Sequence, residues 1–137
     1  MTNSVKLSEL DQWTTKHKKM FNFGDIISVN GEMGYGKTTV IRHLIKSFAS
    51  SLEATSPTFG LMDVHELDDN YFILHIDAYR IKDATEVFGL GLDHYAPTKT
   101  MIFIEWSQNI PSYILRPNKA IDIQLTDQVN TRIINII

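Results

Sequence analysis

The chain contains no cysteine among its 137 residues, which excludes disulfide bonds, thiol chemistry and cysteine zinc sites. No apolar stretch is long enough to cross a bilayer, and residues 1–19 lack the apolar core of a signal peptide. We therefore expect a cytoplasmic protein with no membrane partner. Hydrophobic residues make up 43% of the chain and charged residues 21%, a composition typical of one globular domain spanning residues 1–137.

Positive charge is scarce as well, because 13 Lys and Arg stand against 16 Asp and Glu and give a formal net charge of −3. Nucleic-acid-binding surfaces usually carry an excess of basic residues. The small cluster of Lys16, Lys18 and Lys19 is better explained as a solvated helix face. We therefore expect no DNA partner, and we expect any RNA to be reached only through another protein.

A complete phosphate-binding motif is present. Residues 31–38 read G-E-M-G-Y-G-K-T and match G-x-x-x-x-G-K-[ST] without a mismatch. In such a loop the backbone N–H groups surround the phosphates, the lysine reaches the outer phosphates and the Ser or Thr hydroxyl faces Mg²⁺. The predicted nucleotide-binding residues here are Gly31, Glu32, Met33, Gly34, Tyr35, Gly36, Lys37, Thr38 and Thr39.

The sequence around the motif has the pattern that the motif requires. Residues 25–30 form a short β-branched run that predicts a strand, and residues 39–48 have the apolar spacing of an amphipathic helix. We further expect a helix at 8–21 with Ser8 as its N-cap, a short helix at 83–88, and strands at 59–65, 71–77, 101–104, 120–125 and 131–137. This order predicts an α/β, three-layer P-loop fold with a mostly parallel central sheet and an antiparallel hairpin addition.

Two apolar strands are followed by a carboxylate at the sheet edge where α/β proteins bind their ligands. Asp77 ends the run 72–77, and Glu105 directly follows the run 101–104. One acid can hold the metal while the other orients the attacking water, and the sequence does not assign these two roles. The predicted catalytic residues are therefore Lys37, Asp77 and Glu105, and the predicted metal-facing residues are Thr38, Asp77 and Glu105.

Three nearby residues each have two interpretations. Arg80 either neutralises charge on the transferred phosphoryl group or pairs with Asp77 or Glu86, and the pairing is favoured. Trp106 either packs beside the nucleotide or belongs to the core. Thr58, in the segment S-P-T, either senses the terminal phosphate or belongs to a strand-entry turn, which its local composition favours.

The absence of two sequence motifs limits the classes of substrate that we expect. Readers of guanine carry N-K-x-D, and residues 118–121 read N-K-A-I without the acid, so adenine is favoured by default. The four arginines are too scattered for the arginine-rich lid of a small-molecule kinase. The histidines show no ligand spacing, so we expect no metal site built from protein ligands alone.

Four blocks in this order resemble the bacterial TsaE (YjeE) ATPase family: G-E-M-G-Y-G-K-T-T at 31–39, S-P-T-F at 56–59, H-I-D-A-Y-R at 75–80 and I-E-W at 104–106. The resemblance implies an ATPase that binds ATP and Mg²⁺ and acts with the TsaD and TsaB proteins in threonylcarbamoyladenosine modification of tRNA. It implies that Thr38, Asp77 and Glu105 serve the metal and hydrolysis. It also implies that Trp106 lies near the nucleotide and that Thr58 is a switch-like residue.

The chain departs from the family's usual loop, G-D-L-G-A-G-K-T, at Glu32, Met33 and Tyr35. The ring of Tyr35 must point away from the phosphates or stack on another group. We expect slow hydrolysis by the isolated chain, because no well-placed arginine is evident. The alternative function is a nucleotide-dependent switch, in which ATP binding rather than hydrolysis regulates a protein partner.

Overall fold

The computed structural model describes residues 4–48 and 61–137. Its strands are β1 (Ser4–Lys6), β2 (Ile26–Asn30), β3 (Met62–Glu66), β4 (Phe72–Asp77), β5 (Thr100–Glu105), β6 (Lys119–Leu125) and β7 (Thr131–Ile136). Its α-helices are α1 (Leu10–His17), α2 (Lys37–Phe48) and α3 (Ala84–Phe88). The S-P-T-F block with Thr58, and the predicted beginning of a strand at residue 59, lie outside the described residues.

The described strands form one seven-stranded sheet in the order β1-β7-β6-β2-β5-β4-β3. The four central strands β6, β2, β5 and β4 are parallel, while β3 and the pair β7 and β1 are joined antiparallel at the two edges. The predicted mostly parallel α/β sheet with an antiparallel hairpin is confirmed. Because β2 and β5 are adjacent and parallel, the loop after β2 and the acid that ends β5 meet at one edge of the sheet.

Both faces of the central strands are covered, which explains why their sequences are apolar without alternation. On one face α1 and α2 pack over a cluster that includes Ile27, Ile73 and Phe103. The other face carries a second cluster with Leu74 and Ile104, which α3 joins through Val87. Helix α2 contributes the buried residues Val40, Ile41, Leu44 and Ile45, as its spacing predicts.

The N-terminal region differs from the prediction. The α-helix begins at Leu10 rather than Ser8, and it is flanked by short 3₁₀ turns at Leu7–Glu9 and Lys18–Met20. Ser8 is not the N-cap, because it lies within the first 3₁₀ turn, where the Glu9 carboxylate instead accepts the Lys6 N–H at 3.1 Å. Strand β1 was not predicted, since three residues are too few to show an alternation. Strand β1 is recognised in the structure only by its antiparallel hydrogen-bonded pairing with β7.

The N-K-A-I string lies at the opposite end of the sheet from the phosphate-binding motif. Asn118 Nδ2 donates to Asp25 Oδ1 at 2.9 Å, and Lys119 Nζ donates to Asp25 Oδ2 at 2.6 Å. The Asn118 side-chain oxygen also accepts the Ile26 N–H at 2.7 Å. These contacts join the beginnings of β2 and β6, so the string has a structural role here. In the ranges 4–48 and 61–137, no helix is both long and apolar enough to cross a bilayer.

Candidate nucleotide-binding site

The motif loop connects β2 to α2 and requires glycine at two positions because of backbone conformation. Gly34 and Gly36 have φ angles of +85° and +96°, which L side chains rarely adopt. Apart from the two neighbours in the chain, no described residue has a heavy atom within 4 Å of a Cβ built at either glycine, so crowding is not the reason. The loop leads directly into the N-terminus of α2, where the helix presents unpaired N–H groups and the positive end of its dipole.

The bulky Tyr35 side chain in this loop leaves free the space beside the Lys37 and Thr38 side chains. Its ring packs against the α1–α2 face of the core and its hydroxyl donates to Glu32 Oε2 at 3.1 Å. Its carbonyl oxygen accepts the Nε–H of Arg132 at 3.0 Å. Arg132 was not predicted as a site residue, because it lies on β7 and no local sequence pattern links it to the motif. The arginine fixes the loop backbone from the edge hairpin.

Lys37 is buried at the beginning of α2. Its Nζ donates to the Gly31 carbonyl at 2.5 Å and lies 3.9 Å from the ring centre of Trp106. Burial lowers the pKa of the Lys37 amine, and the nearby carboxylates Glu105 and Asp77 oppose that shift. The amine is thus held by a carbonyl and an aromatic face, both weaker partners for a cation than a phosphate.

Thr38 and Glu105 make the most direct contact between the motif and the strand-end acids. The Thr38 hydroxyl lies 2.9 Å from Glu105 Oε1 and 2.8 Å from Oε2, and it donates to this carboxylate. Glu105 is only 4% exposed, and its Oε2 also lies 2.7 Å from Nε2 of His75. Burial acts to raise the pKa of the Glu105 carboxyl, but hydrogen bonds from His75 and Thr38, together with the charges of His75 and Lys37, hold it below its ordinary value. Glu105 is therefore a carboxylate at neutral pH.

Asp77 lies beside Glu105, because the two residues are paired in the register of parallel strands β4 and β5. Its Oδ1 accepts the Tyr79 N–H at 3.1 Å, and the side chain is partly exposed. The loop after Asp77 is held by Asn109, whose side-chain nitrogen donates to the Ala78 carbonyl at 2.9 Å. Arg80 is exposed and forms no ion pair with Asp77 or with Glu86 among the described residues, so the favoured pairing is wrong.

Trp106 has a left-handed backbone, with φ of +58°, and such strained non-glycine residues often occur at functional sites. The ring packs on the Tyr79 ring at a centroid distance of 5.1 Å and on the Lys37 amine. It also contacts the second core cluster. Trp106 thus belongs to the core, as one interpretation expects, and its ring also faces the Lys37 amine of the motif.

Two cavities among the described residues border on the motif. One, of about 420 Å³, is lined by Met33, Gly34, Gly36, Lys37, Thr38, Thr39, Asp77, Tyr79, Glu105 and Trp106. The other, of about 230 Å³, lies behind the loop and is mainly apolar, with Leu7, Leu10, Tyr35, Val40 and Arg132 in its wall. The larger cavity thus brings together most of the predicted site residues of the loop with Asp77, Glu105 and Trp106, whereas Gly31, Glu32 and Tyr35 do not line it.

The oxygen donors in the larger cavity fit Mg²⁺ chemically. A hydroxyl and two carboxylates are hard ligands, and Mg²⁺ commonly uses one or two carboxylates together with substrate phosphates. Within the described ranges no three His, Cys, Asp or Glu side chains gather into a metal-binding group. A metal ion beside these three side chains would therefore need further oxygen ligands, such as substrate phosphates.

Comparison with known proteins identifies relatives of this chain. The family model described as threonylcarbamoyl adenosine biosynthesis protein TsaE matches residues 4–134. The chain belongs to the TsaE family. A TsaE protein from Rickettsia bellii is 31% identical over 141 residues, which cover 99% of this chain and 96% of the relative. A TsaE protein from Rickettsia felis is 35% identical over 114 residues, which cover 82% of this chain but 65% of that relative's length.

A solved structure supports the fold of this TsaE chain. Bacillus subtilis YdiB superposes with a TM-score of 0.66 over 99% of this chain and 86% of its own. Sequence identity in this superposition is 20%, so the likeness speaks for the shared α/β fold alone. Membership of the TsaE family connects the chain to tRNA threonylcarbamoyladenosine biosynthesis.

Proposed function

We propose that this chain binds Mg·ATP at residues 31–39 and hydrolyses it, and that hydrolysis drives its part in threonylcarbamoyladenosine biosynthesis. The contact that carries the proposal is the hydrogen bond from Thr38 to Glu105. It joins the hydroxyl at the end of the phosphate-binding loop to a buried strand-end carboxylate, the pairing that a metal-dependent phosphoryl transfer needs. Adenine is the base proposed here, because the only N-K-x-D-like string lies at the far end of the sheet.

Binding would use the loop and the beginning of α2. Loop residues and the beginning of α2 line the larger cavity, where their backbone N–H groups would attract phosphate oxygens. Lys37 would exchange the Gly31 carbonyl and the Trp106 face for phosphate. The apolar cavity behind the loop, with Leu10 and Val40 in its wall, offers a surface for a flat base. Thr58 is proposed as a further contact from the segment outside the described residues.

Hydrolysis would divide its tasks between the two acids according to their surroundings. Thr38 and Glu105 would hold Mg²⁺, which when bound neutralises negative charge on the phosphates. Asp77 is more exposed and lies at the same edge, so it would accept a hydrogen bond from the attacking water. The water oxygen bonds to the terminal phosphorus as the bond to the ADP oxygen breaks. Lys37 stabilises the charge on the phosphates throughout.

The proposed partners are the TsaD and TsaB proteins, with tRNA reached only through that complex. The acidic balance of the chain supports an indirect route to tRNA, because a direct grip on the phosphate backbone would need a basic surface. Exposed aromatic groups near the site, such as Tyr79, which is 50% exposed, are suited to protein contact. Slow turnover by the isolated chain remains our prediction.

Reconstitution with TsaD and TsaB from the same organism tests the proposal. Wild type should support many cycles of tRNA modification and bind ATP with measurable heat in calorimetry. Lys37→Ala should lose both, because the amine is the phosphate-facing cation. Lys46→Ala is a matched control, since Lys46 is an exposed lysine near the other end of α2 and should behave as wild type.

A variant that binds ATP but does not cleave it distinguishes the proposed ATPase from a switch that works by ATP binding alone. Asp77→Asn keeps the shape of the side chain and removes its negative charge, so we expect ATP binding without repeated cycles of modification. Repeated cycles with this variant would show that hydrolysis is dispensable and would favour the switch. A wild-type chain that gives no heat with adenine nucleotides, even beside its partners, would contradict both functions.

A further inference from the structure

A line of buried polar side chains runs across the sheet from its edge to the candidate site. Asp63 Oδ2 on β3 lies 3.9 Å from Nδ1 of His75 on β4. Nε2 of the same imidazole lies 2.7 Å from Glu105 Oε2 on β5, and Glu105 in turn accepts from Thr38. Asp63 and His75 are 8% and 6% exposed. Neither residue lines the larger cavity, so neither is placed to touch a nucleotide directly.

Strand register produces this alignment. Asp63 is directly opposite His75 in the antiparallel pair β3 and β4. His75 is opposite Phe103 in the parallel pair β4 and β5, and Glu105 follows two residues later on the same face of β5. That face is covered by α2, which brings Thr38 over the carboxylate. Diagonal neighbours of this kind are within reach of long side chains.

Stability alone is a poor explanation for these residues. Burying ionisable groups is costly, and replacing them by apolar residues of similar volume is often neutral or stabilising. Asp63 Oδ1 is buried and has no hydrogen-bond partner among residues 4–48 and 61–137, so within these residues the hydrogen-bonding capacity of the line is incompletely used. An arrangement that is expensive and incompletely satisfied is more readily explained by a demand of the neighbouring site.

We propose that His75 is a positioning residue for Glu105, and that Asp63 orients the imidazole ring of His75. The Nε2–H of His75 holds Oε2 of Glu105, so that the carboxylate keeps the orientation in which it meets the Thr38 hydroxyl. Asp63 faces the other ring nitrogen at 3.9 Å, which is too far for a hydrogen bond, so it would orient the ring electrostatically. The use of Glu105 in Mg·ATP chemistry rests on the proposed function, whereas the hydrogen bond itself does not.

Two amide variants separate positioning from a merely structural role. In His75→Gln the side-chain nitrogen reaches about the place of Nε2 and can still donate to Glu105. In His75→Asn the nitrogen stops near the place of Nδ1, on the side of Asp63. Both variants lose the imidazole and bury an amide, so their folding costs are similar, and urea unfolding of each provides the check.

The readouts are ATP hydrolysis and the Mg²⁺-dependent affinity for a non-hydrolysable ATP analogue. We expect His75→Asn to lose about 10–100-fold in kcat and in the affinity gained from Mg²⁺, the usual cost of losing a residue that orients a metal ligand. Affinity measured without Mg²⁺ should change little. His75→Gln should stay within a few-fold of wild type. Equal losses in the two variants, or no loss in His75→Asn, would overturn the proposal.

The role of Asp63 is tested by combining variants. Asp63→Asn should lower kcat and the Mg²⁺-dependent affinity several-fold in the wild-type background. It should have no effect in the His75→Gln background, because glutamine has no imidazole ring for Asp63 to orient. A loss of the same size in both backgrounds would contradict the assigned role. His75→Asn in a Glu105→Gln background should likewise bring no further loss, since the carboxylate that it positions has been replaced.

Nuclear magnetic resonance of the wild-type chain without nucleotide gives a readout independent of activity. We expect the Nε2 proton of His75 to be present, protected from exchange and shifted downfield, and to move upfield in Glu105→Gln. An unprotonated Nε2 would overturn the positioning role. If this signal is present but the chain binds no adenine nucleotide, the proposed function fails while the hydrogen bond stands, so the two failures are distinguishable.

Discussion

The amine of Lys37 lies against the face of Trp106, 3.9 Å from its ring centre, while it donates to the Gly31 carbonyl. A residue of the phosphate-binding motif is thereby joined to the residue that follows the strand-end acid Glu105. Since phosphate is a stronger partner for the amine than either group, binding of a triphosphate should draw Lys37 away from the indole. The optical properties of Trp106 then report on occupancy of the site.

Trp106 fluorescence should therefore change when ATP binds. The chain has two tryptophans, and Trp13 lies on α1, stacked on His17 at 4.6 Å, and does not line the larger cavity. Titration of Trp13→Phe with Mg·ATP should retain the full fluorescence change, because Trp106 remains. Trp106→Phe should lose it. A response that survives in Trp106→Phe and disappears in Trp13→Phe would contradict the assignment of the site.

Thr38→Val should abolish most hydrolysis, because it removes the hydroxyl that donates to Glu105 while retaining the shape of the side chain. We expect kcat to fall roughly 10²–10³-fold, comparable to losing one preorganised donor at a reacting centre. Thr38→Ser retains the hydroxyl and serves as the control, with activity close to wild type. Steady-state phosphate release measures both variants, and similar activity in Val and Ser would refute the role of the hydroxyl.

Gly36→Ala should destabilise the chain by about 1–2 kcal/mol, since φ of +96° is unfavourable for a residue with a Cβ. Nucleotide affinity should fall too, because relief of the strain would move the loop backbone. Gly89→Ala is the comparison: its φ is −70°, and its added Cβ would lie 3.5 Å from the Glu86 carbonyl, an ordinary contact. Urea unfolding should show Gly89→Ala to be neutral or slightly stabilising.

Asp25→Asn should lower stability at neutral pH without affecting nucleotide binding, because Asp25 lies at the other end of β2 from the loop. Burial acts to raise the pKa of Asp25, but hydrogen bonds from Lys119 and Asn118 hold it below its usual value. We expect a loss of about 1.5–3 kcal/mol, the typical worth of a hydrogen bond to a charged group.

The pH dependence of that loss has a definite sign. A carboxyl whose pKa is lower in the folded state stabilises the fold above its unfolded-state pKa of about 3.9 and loses that effect as the pH falls through its folded-state value. The difference between wild type and Asp25→Asn should therefore be full at pH 7 and shrink below about pH 4. Denaturant unfolding across this range measures it. A difference that stays constant down to pH 2 would exclude the carboxylate as the cause.

Sequence patterns predicted the elements that depend on neighbours in the chain. The β-branched run before the motif and the helical spacing after it gave β2 and α2, and the apolar runs ending at Asp77 and before Glu105 gave two parallel strands. They failed at Ser8, where a three-residue 3₁₀ turn precedes the helix, and at Arg80, which was expected to pair with Asp77 or Glu86 but forms an ion pair with neither among the described residues. Closeness along the chain does not by itself bring two charged side chains into contact.

The sequence by itself determined the chemistry of the loop, because glycine φ angles, a lysine and a threonine at fixed spacing are requirements met within eight consecutive residues. Only the tertiary structure decided what holds that loop and its acids in place. Arg132 meets the Tyr35 carbonyl across 97 residues of sequence, and His75 meets Glu105 across 30. Such contacts follow from the strand order of the sheet and from which face each strand buries. The physical reason is that register and strand order are fixed by long-range pairing, which no local pattern encodes.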